Sequence, residues 1–480
     1  MRRILHSALF VSCLALAGCH GGSGRSDGPI DGPPRQDFRL GGSTGEFRGM
    51  LGLVNNGSDS LRLREAGQFV FADPVARGQR YEVEVFHQPP AQVCEVLHGS
   101  GSAGADVDDL RVPCLPAQPR PWLALGGQAG EGTYPSGTPI QDPRSGLLYW
   151  ATARGGADGH GAVMQAAPGG QASVLHSFAG GAGGSSPARR LVLRDGALYG
   201  ITSDGGAHSD GLIYRLGLQG QFSVIHSFSG SVRSEGVDGR HARSPLVAAA
   251  NGSLYGTTWG GGSHDSGTIY RVDPAGTYRV VYSFHAHLQQ AAHRPTGALL
   301  AGPDGLLYGT ADYGGAQGNG GVFRFDPRRD TLQVIAALPR AAEHDSHGVA
   351  LAADGSLYGV AGGEPGLLFR VPPDAPLQVL HDFGQGADGR APRGQLLQAS
   401  DGWLYGVTDA GGSHGQGTLY RFDPVADTEQ VLYDFGSQPQ VGVQPTTGLL
   451  LAANGWLIGT TPGSSRAGSA HPGGTLYLVP

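Results

Sequence analysis

One short motif recurs seven times along the chain. Leu-Tyr-Gly, or a close variant, stands at Leu148-Tyr149-Trp150, Leu198-Tyr199-Gly200, Leu254-Tyr255-Gly256, Leu307-Tyr308-Gly309, Leu357-Tyr358-Gly359, Leu404-Tyr405-Gly406 and Leu457-Ile458-Gly459. The central positions run from 149 to 458, so the period is about 51 residues. A unit repeated at such spacing cannot bury its apolar face alone and must stack on its neighbours.

Each unit reads as four strands. A short apolar run such as Ala298-Leu299-Leu300-Ala301 comes first. Asp-Gly or Asn-Gly follows, as at Asp195-Gly196, Asn251-Gly252 and Asp304-Gly305, supplying the positive φ angles of a two-residue hairpin. The Leu-Tyr-Gly run is the second strand. A glycine-rich loop, residues 261–267 in one unit, leads to the third, Thr268-Ile269-Tyr270-Arg271-Val272. The fourth is Val280-Val281-Tyr282-Ser283-Phe284. Four strands in each period predict an all-β fold, a seven-bladed β-propeller over residues 120–480. The seventh unit ends on its third strand, at Tyr477-Leu478-Val479-Pro480, and Trp122-Leu123-Ala124-Leu125 matches the end of a fourth. The N-terminal segment is therefore expected to complete the last blade, since omitting it exposes two sheet edges. An open superhelix is the alternative.

Composition agrees with turn-rich β-structure: 84 of 480 residues are glycine and only 15% are charged. The net charge is −7, and every basic side chain is arginine. Without lysine there is no Schiff-base chemistry, phosphate-loop lysine or lysine general base. An acidic chain without basic runs argues against a nucleic-acid partner. Beyond the N-terminus no apolar run reaches the ~18 residues of a spanning helix.

The units LYGTTWGGGSHDSGTIYRVDPAGTYRVVYSF, LYGTADYGGAQGNGGVFRFDP and LYGVTDAGGSHGQGTLYRFDP resemble the GloVer tandem repeat of bacterial surface proteins. Trp150, Ile458 and the shortened loop 362–366 depart from the pattern. The resemblance implies architecture and brings no catalytic signature or cofactor.

Arg2-Arg3 and the apolar stretch to Ala17 read as a signal peptide over residues 1–18. Its end, Leu16-Ala17-Gly18-Cys19, resembles a bacterial lipobox. That implies lipidation of Cys19 and a membrane partner through the anchor, with His20 in place of an inner-membrane retention aspartate. The expected location is the outer membrane; a plain secretory signal is the alternative. Residues 19–37 read as a flexible tether.

Residues 38–116 have short alternating runs, such as Tyr81-Glu82-Val83-Glu84-Val85, with turn material between them, the pattern of an antiparallel sandwich. Cys13 leaves with the signal and Cys19 carries lipid, so Cys94 and Cys114 are expected to form a disulfide. The stretch resembles a small immunoglobulin-like module found near the anchor of many bacterial surface proteins, a spacer in most settings.

A catalytic residue occurs once, whereas a structural one recurs. Arg215, Arg271, Arg324, Arg370 and Arg421 share one position on the third strand, which points to blade-to-blade pairing or a solvated rim. Gly-x-Ser-x-Gly strings around Ser43 and Ser413 lack the strand-to-helix setting of a nucleophile elbow. Function is expected on the face carrying the longer loops. Eleven of the 18 histidines fall there: His160, His208, His241, His264, His285, His287, His293, His344, His347, His414 and His471. His208, His264 and His414 occupy one repeat position, and convergence on a metal or anion is weighed against plain polar turns; no metal site is assigned. The candidate ligand face comprises His208, His264, His414, Trp259, Tyr313, His241 and Arg240. The leading reading is an envelope-anchored binding module for a glycan or protein. A propeller hydrolase or lyase and a structural envelope protein are the alternatives.

Overall fold

The computed structural model describes residues 37–126, 130–230, 237–286, 291–339, 346–463 and 471–480. The signal sequence, Cys19, the tether before residue 37, His287 and His344 lie outside them. The described residues contain no α-helix, only the 3-10 turns Gly181–Gly183 and Pro439–Val441.

Residues 37–116 build small sheets over a core of Leu40, Leu51, Leu53, Phe69, Leu110 and Val112, all nearly or fully buried. The antiparallel expectation needs one amendment: strand Val107–Val112 runs parallel to Leu40–Thr44. Cys94 and Cys114 face each other across paired strands and are joined by a disulfide.

From residue 120 onward the described residues form seven sheets in chain order. The second is representative: Ser185–Arg194, Ala197–Asp204, Leu212–Gly217 and Phe222–Ser227 pair antiparallel in sequence. In the seventh, Leu450–Leu451, Leu457–Pro462 and Gly474–Val479 are followed by Arg120–Ala124 on the outer edge. The chain's early segment thus supplies the last strand. Consecutive sheets share apolar clusters, such as Ile201, Ile213 and Phe228 of the second with Leu254 and Tyr270 of the third. Leu123, Ile458 and Leu476 of the seventh pack with Leu148, Trp150 and Met164 of the first. Each such large side chain contributes about 1.5–3 kcal/mol on burial.

The glycine of the repeat motif is there for one reason. Opposite it on the third strand stands a buried aromatic: Gly256 faces Tyr270, and a Cβ built on Gly256 would lie 2.3 Å from the Tyr270 hydroxyl. Gly200–Tyr214, Gly309–Phe323, Gly359–Phe369, Gly406–Tyr420 and Gly459–Tyr477 repeat the arrangement. Trp150 breaks the motif where Met164 replaces the aromatic, so one large group fills each site from one side or the other.

The recurring arginines work within their own sheets. Each lies across from the motif tyrosine, as Arg271 does from Tyr255. Arg370 pairs with Asp354, in the first hairpin turn of its own sheet, at 2.6 Å, and Arg421 donates to Gln430. Blade-to-blade pairing or a solvated rim was the expectation; Arg324, Arg370 and Arg421 find their partners within their own sheets, and Arg215 and Arg324 are exposed.

The N-terminal sheets dock on the sixth and seventh. Gln88 donates its amide to the Asn454 carbonyl at 3.0 Å, and Arg48 and Arg421 lie over the Trp403 ring at 5.3 and 4.2 Å.

Candidate functional site where the inner strands converge

The inner strand of each sheet begins earlier than its apolar run suggests. In the third sheet it comprises Gly239–Ala242 and Val247–Ala248, and in the fourth His293–Pro295 and Leu300–Ala301. His241, His293 and His347, expected in connecting loops, therefore stand on inner strands. Among the described residues a non-glycine residue with positive φ stands near the start of this strand in five sheets, Tyr134, Ser186, His241, Arg294 and Ala391, and Gln444 stands ahead of it in the seventh. The amide of each donates to a loop carbonyl of the preceding sheet, as Ser186 does to His160 at 2.9 Å and Tyr134 to Gly473 at 2.7 Å. The last contact again joins the seventh sheet to the first. That hydrogen bond holds a backbone conformation that ordinarily costs about 1–3 kcal/mol.

Further along, the inner strands nearly touch. A Cβ on Gly137 would lie 2.1 Å from the Arg189 carbonyl, and Arg189 donates its amide to the Ser136 carbonyl. Residues on or beside the inner-strand segments of all seven sheets line a cavity of about 110 Å³, including Gly137, Arg189, Pro245, Thr296, His347, Gln395 and Thr447. Arg190, Pro245, Ala298 and Gln395 are shared with a larger cavity of about 530 Å³. The larger one reaches the hairpin ends, where Asp142, Arg144, Arg194 and Asp195 line it. This is the face opposite the long loops on which the site was expected.

Arg189 is half-buried and lines the smaller cavity. Burial pulls its pKa below the ordinary arginine value; Arg243 and Arg393 add repulsion, and Asp312 acts against them. Burial also pulls Arg190 down. His347 is 9% exposed and its Nε2 has no hydrogen-bond partner. Burial, then the Arg189 charge, press its pKa to about 3, so the imidazole is neutral at neutral pH. Arg393 is engaged by Asp409 at 3.0 Å, and Asp312 accepts a hydrogen bond from Thr296 at 2.7 Å.

The loop-face residues come together only in part. Arg294 lies 4.0 Å from the Trp259 ring and 5.7 Å from that of Tyr313, which joins these two candidates. Arg240 is held by Asp265 through both nitrogens of its fork. The three equivalent histidines stay on their own sheets. His414 pairs with Asp434 at 3.2 Å, His264 lies against His285 with centroids 3.5 Å apart, and His208 is exposed in its turn. Among the described residues no group of three or more metal-ligating side chains forms. Sequence reasoning missed Arg189, Arg190 and the role of His347. The signal was present: these units place Arg-Arg and His-Gly where others have Gly-Thr, Ser-Pro, Gly-Ala, Gly-Gln and Thr-Gly.

No curated protein matches the chain. Solved structures similar to it include a gluconolactonase from Xanthomonas campestris, 19% identical, covering 62% of this chain and 87% of that one at a TM-score of 0.36. A candidate 6-phosphogluconolactonase from Bacteroides uniformis is 14% identical, covering 80% and 95% at 0.43. A protein of unknown function from Bacteroides thetaiotaomicron is 10% identical, covering 91% and 95% at 0.42. Tandem matches over residues 123–301 and 294–479 assign the chain to a family: it belongs to the Gloeobacter/Verrucomicrobia repeat proteins.

Proposed function

We propose that this protein is an envelope-anchored lipoprotein whose residues 120–480 form a seven-bladed β-propeller that binds a ligand at its centre. Residues 38–116 are an immunoglobulin-like module between anchor and propeller. One observation carries the binding reading: the cavity lined by residues of all seven sheets holds single-copy polar residues, Arg189, Arg190 and His347, at columns that other units fill mostly with small residues. A purely structural array has no use for such differences, because every unit then meets the same requirement. Among the described residues the smaller cavity is lined by no carboxylate, and Asp142 and Asp195 line the larger one.

The test is a binding screen of glycans, peptides and small molecules on the mature chain from Cys19. The reading expects a saturable ligand whose binding is weakened by Arg189→Gln. It is abandoned if no class binds, or if every hit is indifferent to substitutions in the cavity.

A further inference from the structure

We infer that the group held in the central cavity is an oxyanion, a carboxylate or phosphate on a small organic molecule, gripped by Arg189 and Arg190 with His347 beside them. This rests on the binding reading above and names its ligand class. The first argument is charge. Among the described residues no carboxylate lies within ion-pair distance of Arg189 or Arg190. Among the described residues Arg243 adds a third positive charge near Arg189, Arg393 is engaged by Asp409, and Asp312 acts against them. Arg189 is half-buried and Arg190 exposed beside it; like charges brought together at a partly desolvated site repel unless an anion completes them. Arginine is the side chain suited to this task, since its planar fork matches the two oxygens of a carboxylate or phosphate.

The second argument is independent of charge. His347 keeps a ring nitrogen buried and unpartnered in the same cavity. Buried polar atoms are ordinarily satisfied, so an orphan aimed at a cavity marks a missing partner. As a neutral imidazole protonated at Nε2 it donates to an oxyanion; protonated on both nitrogens it does so with a charge. The third argument is size. At about 110 Å³ the chamber holds roughly three to four waters' worth of volume, enough for one oxyanion group. The adjoining space of about 530 Å³ takes the body of the molecule, and its walls include Leu191, Leu193, Leu246 and Leu299. Arg190 faces both spaces, where head and body meet.

The experiment titrates the full-length protein, in detergent, with inorganic phosphate and with acetate, each against sodium chloride of equal ionic strength. Calorimetry and the thermal midpoint are read. At least one of the two oxyanions binds and raises the midpoint beyond chloride, and which one does so separates a phosphate from a carboxylate ligand. Arg190→Gln, a partly solvated position that tolerates substitution, weakens that binding about ten- to a hundredfold. His347→Leu weakens it less, and Arg215→Gln, on an exposed third-strand position, leaves it unchanged. Circular dichroism confirms that each variant is folded. Neither oxyanion exceeding chloride, or Arg190→Gln binding like the parent, overturns the inference. If a neutral ligand from the screen binds and ignores Arg190→Gln, the inference falls while the binding reading stands; if nothing of any class binds, both fall.

Discussion

Asp238 holds the second sheet to the third, and its removal has a calculable cost. Its carboxylate accepts from His226 Nε2 at 3.1 Å, from the Ser229 amide and hydroxyl at 2.8 and 2.9 Å, from the Gly239 amide at 2.7 Å and from the Tyr278 hydroxyl at 2.7 Å. His226 stacks on Tyr278 with ring centroids 3.6 Å apart, closing the cluster. Burial alone would raise the carboxyl, but the hydrogen bonds from His226 and Tyr278 outweigh it, bringing the pKa from 3.8 to about 2. That displacement is worth about 2 kcal/mol to the folded state. Because the folded pKa is the lower one, the stabilisation is complete above about pH 4 and is lost as pH falls through about 2. Urea denaturation should find Asp238→Asn less stable than the parent by about 2 kcal/mol or more at pH 7, since an amide also turns donors toward the donors of Ser229 and Gly239. The gap should narrow below pH 4. A gap that stays constant from pH 7 to pH 2.5, or no gap at pH 7, would refute the reasoning. His381 and Asp388 repeat the device between the fifth and sixth sheets, at 3.0 Å.

Three further outcomes are expected. Tyr270→Phe should leave stability unchanged or raise it by up to about 1 kcal/mol in the same denaturation, because its buried hydroxyl has no partner and Phe323 and Phe369 fill the equivalent position. Replacing Cys94 and Cys114 with serine should cost about 3 kcal/mol and raise hydrogen exchange within residues 37–116, sparing the later sheets. Cys19→Ser should move the protein from the membrane to the soluble fraction and abolish the acyl mass on its N-terminal peptide.

How far the sequence reaches depends on whether a feature repeats. The Asp-Gly hairpins and the Leu-Tyr-Gly strands were legible because each solves a local problem in every unit. The reason for the glycine was not, since it lies in an aromatic ring on the neighbouring strand; Trp150 and Met164 make sense only as a pair. The start of the inner strand was hidden too. Tyr134, Ser186 and His241 carry no signature of positive φ, which is imposed by a carbonyl from the preceding sheet. Repetition misled where histidines were concerned. His264 and His414 recur because a polar turn suits that place, and each has its own local partner. Arg189 and Arg190 are the opposite case, conspicuous only as a break in a column of mostly small residues.

Closure of the sheets into a ring is the claim on which the central cavity depends, and hydrogen exchange on the unmodified protein tests it. In strand Gly474–Val479 successive amides point to opposite sides, one set toward Leu457–Pro462 and the other toward Arg120–Ala124. In the closed arrangement both sets are bonded and both should exchange slowly. An open array leaves the second set on a free edge, so alternate amides from 475 to 479 exchanging at the free-chain rate would contradict it.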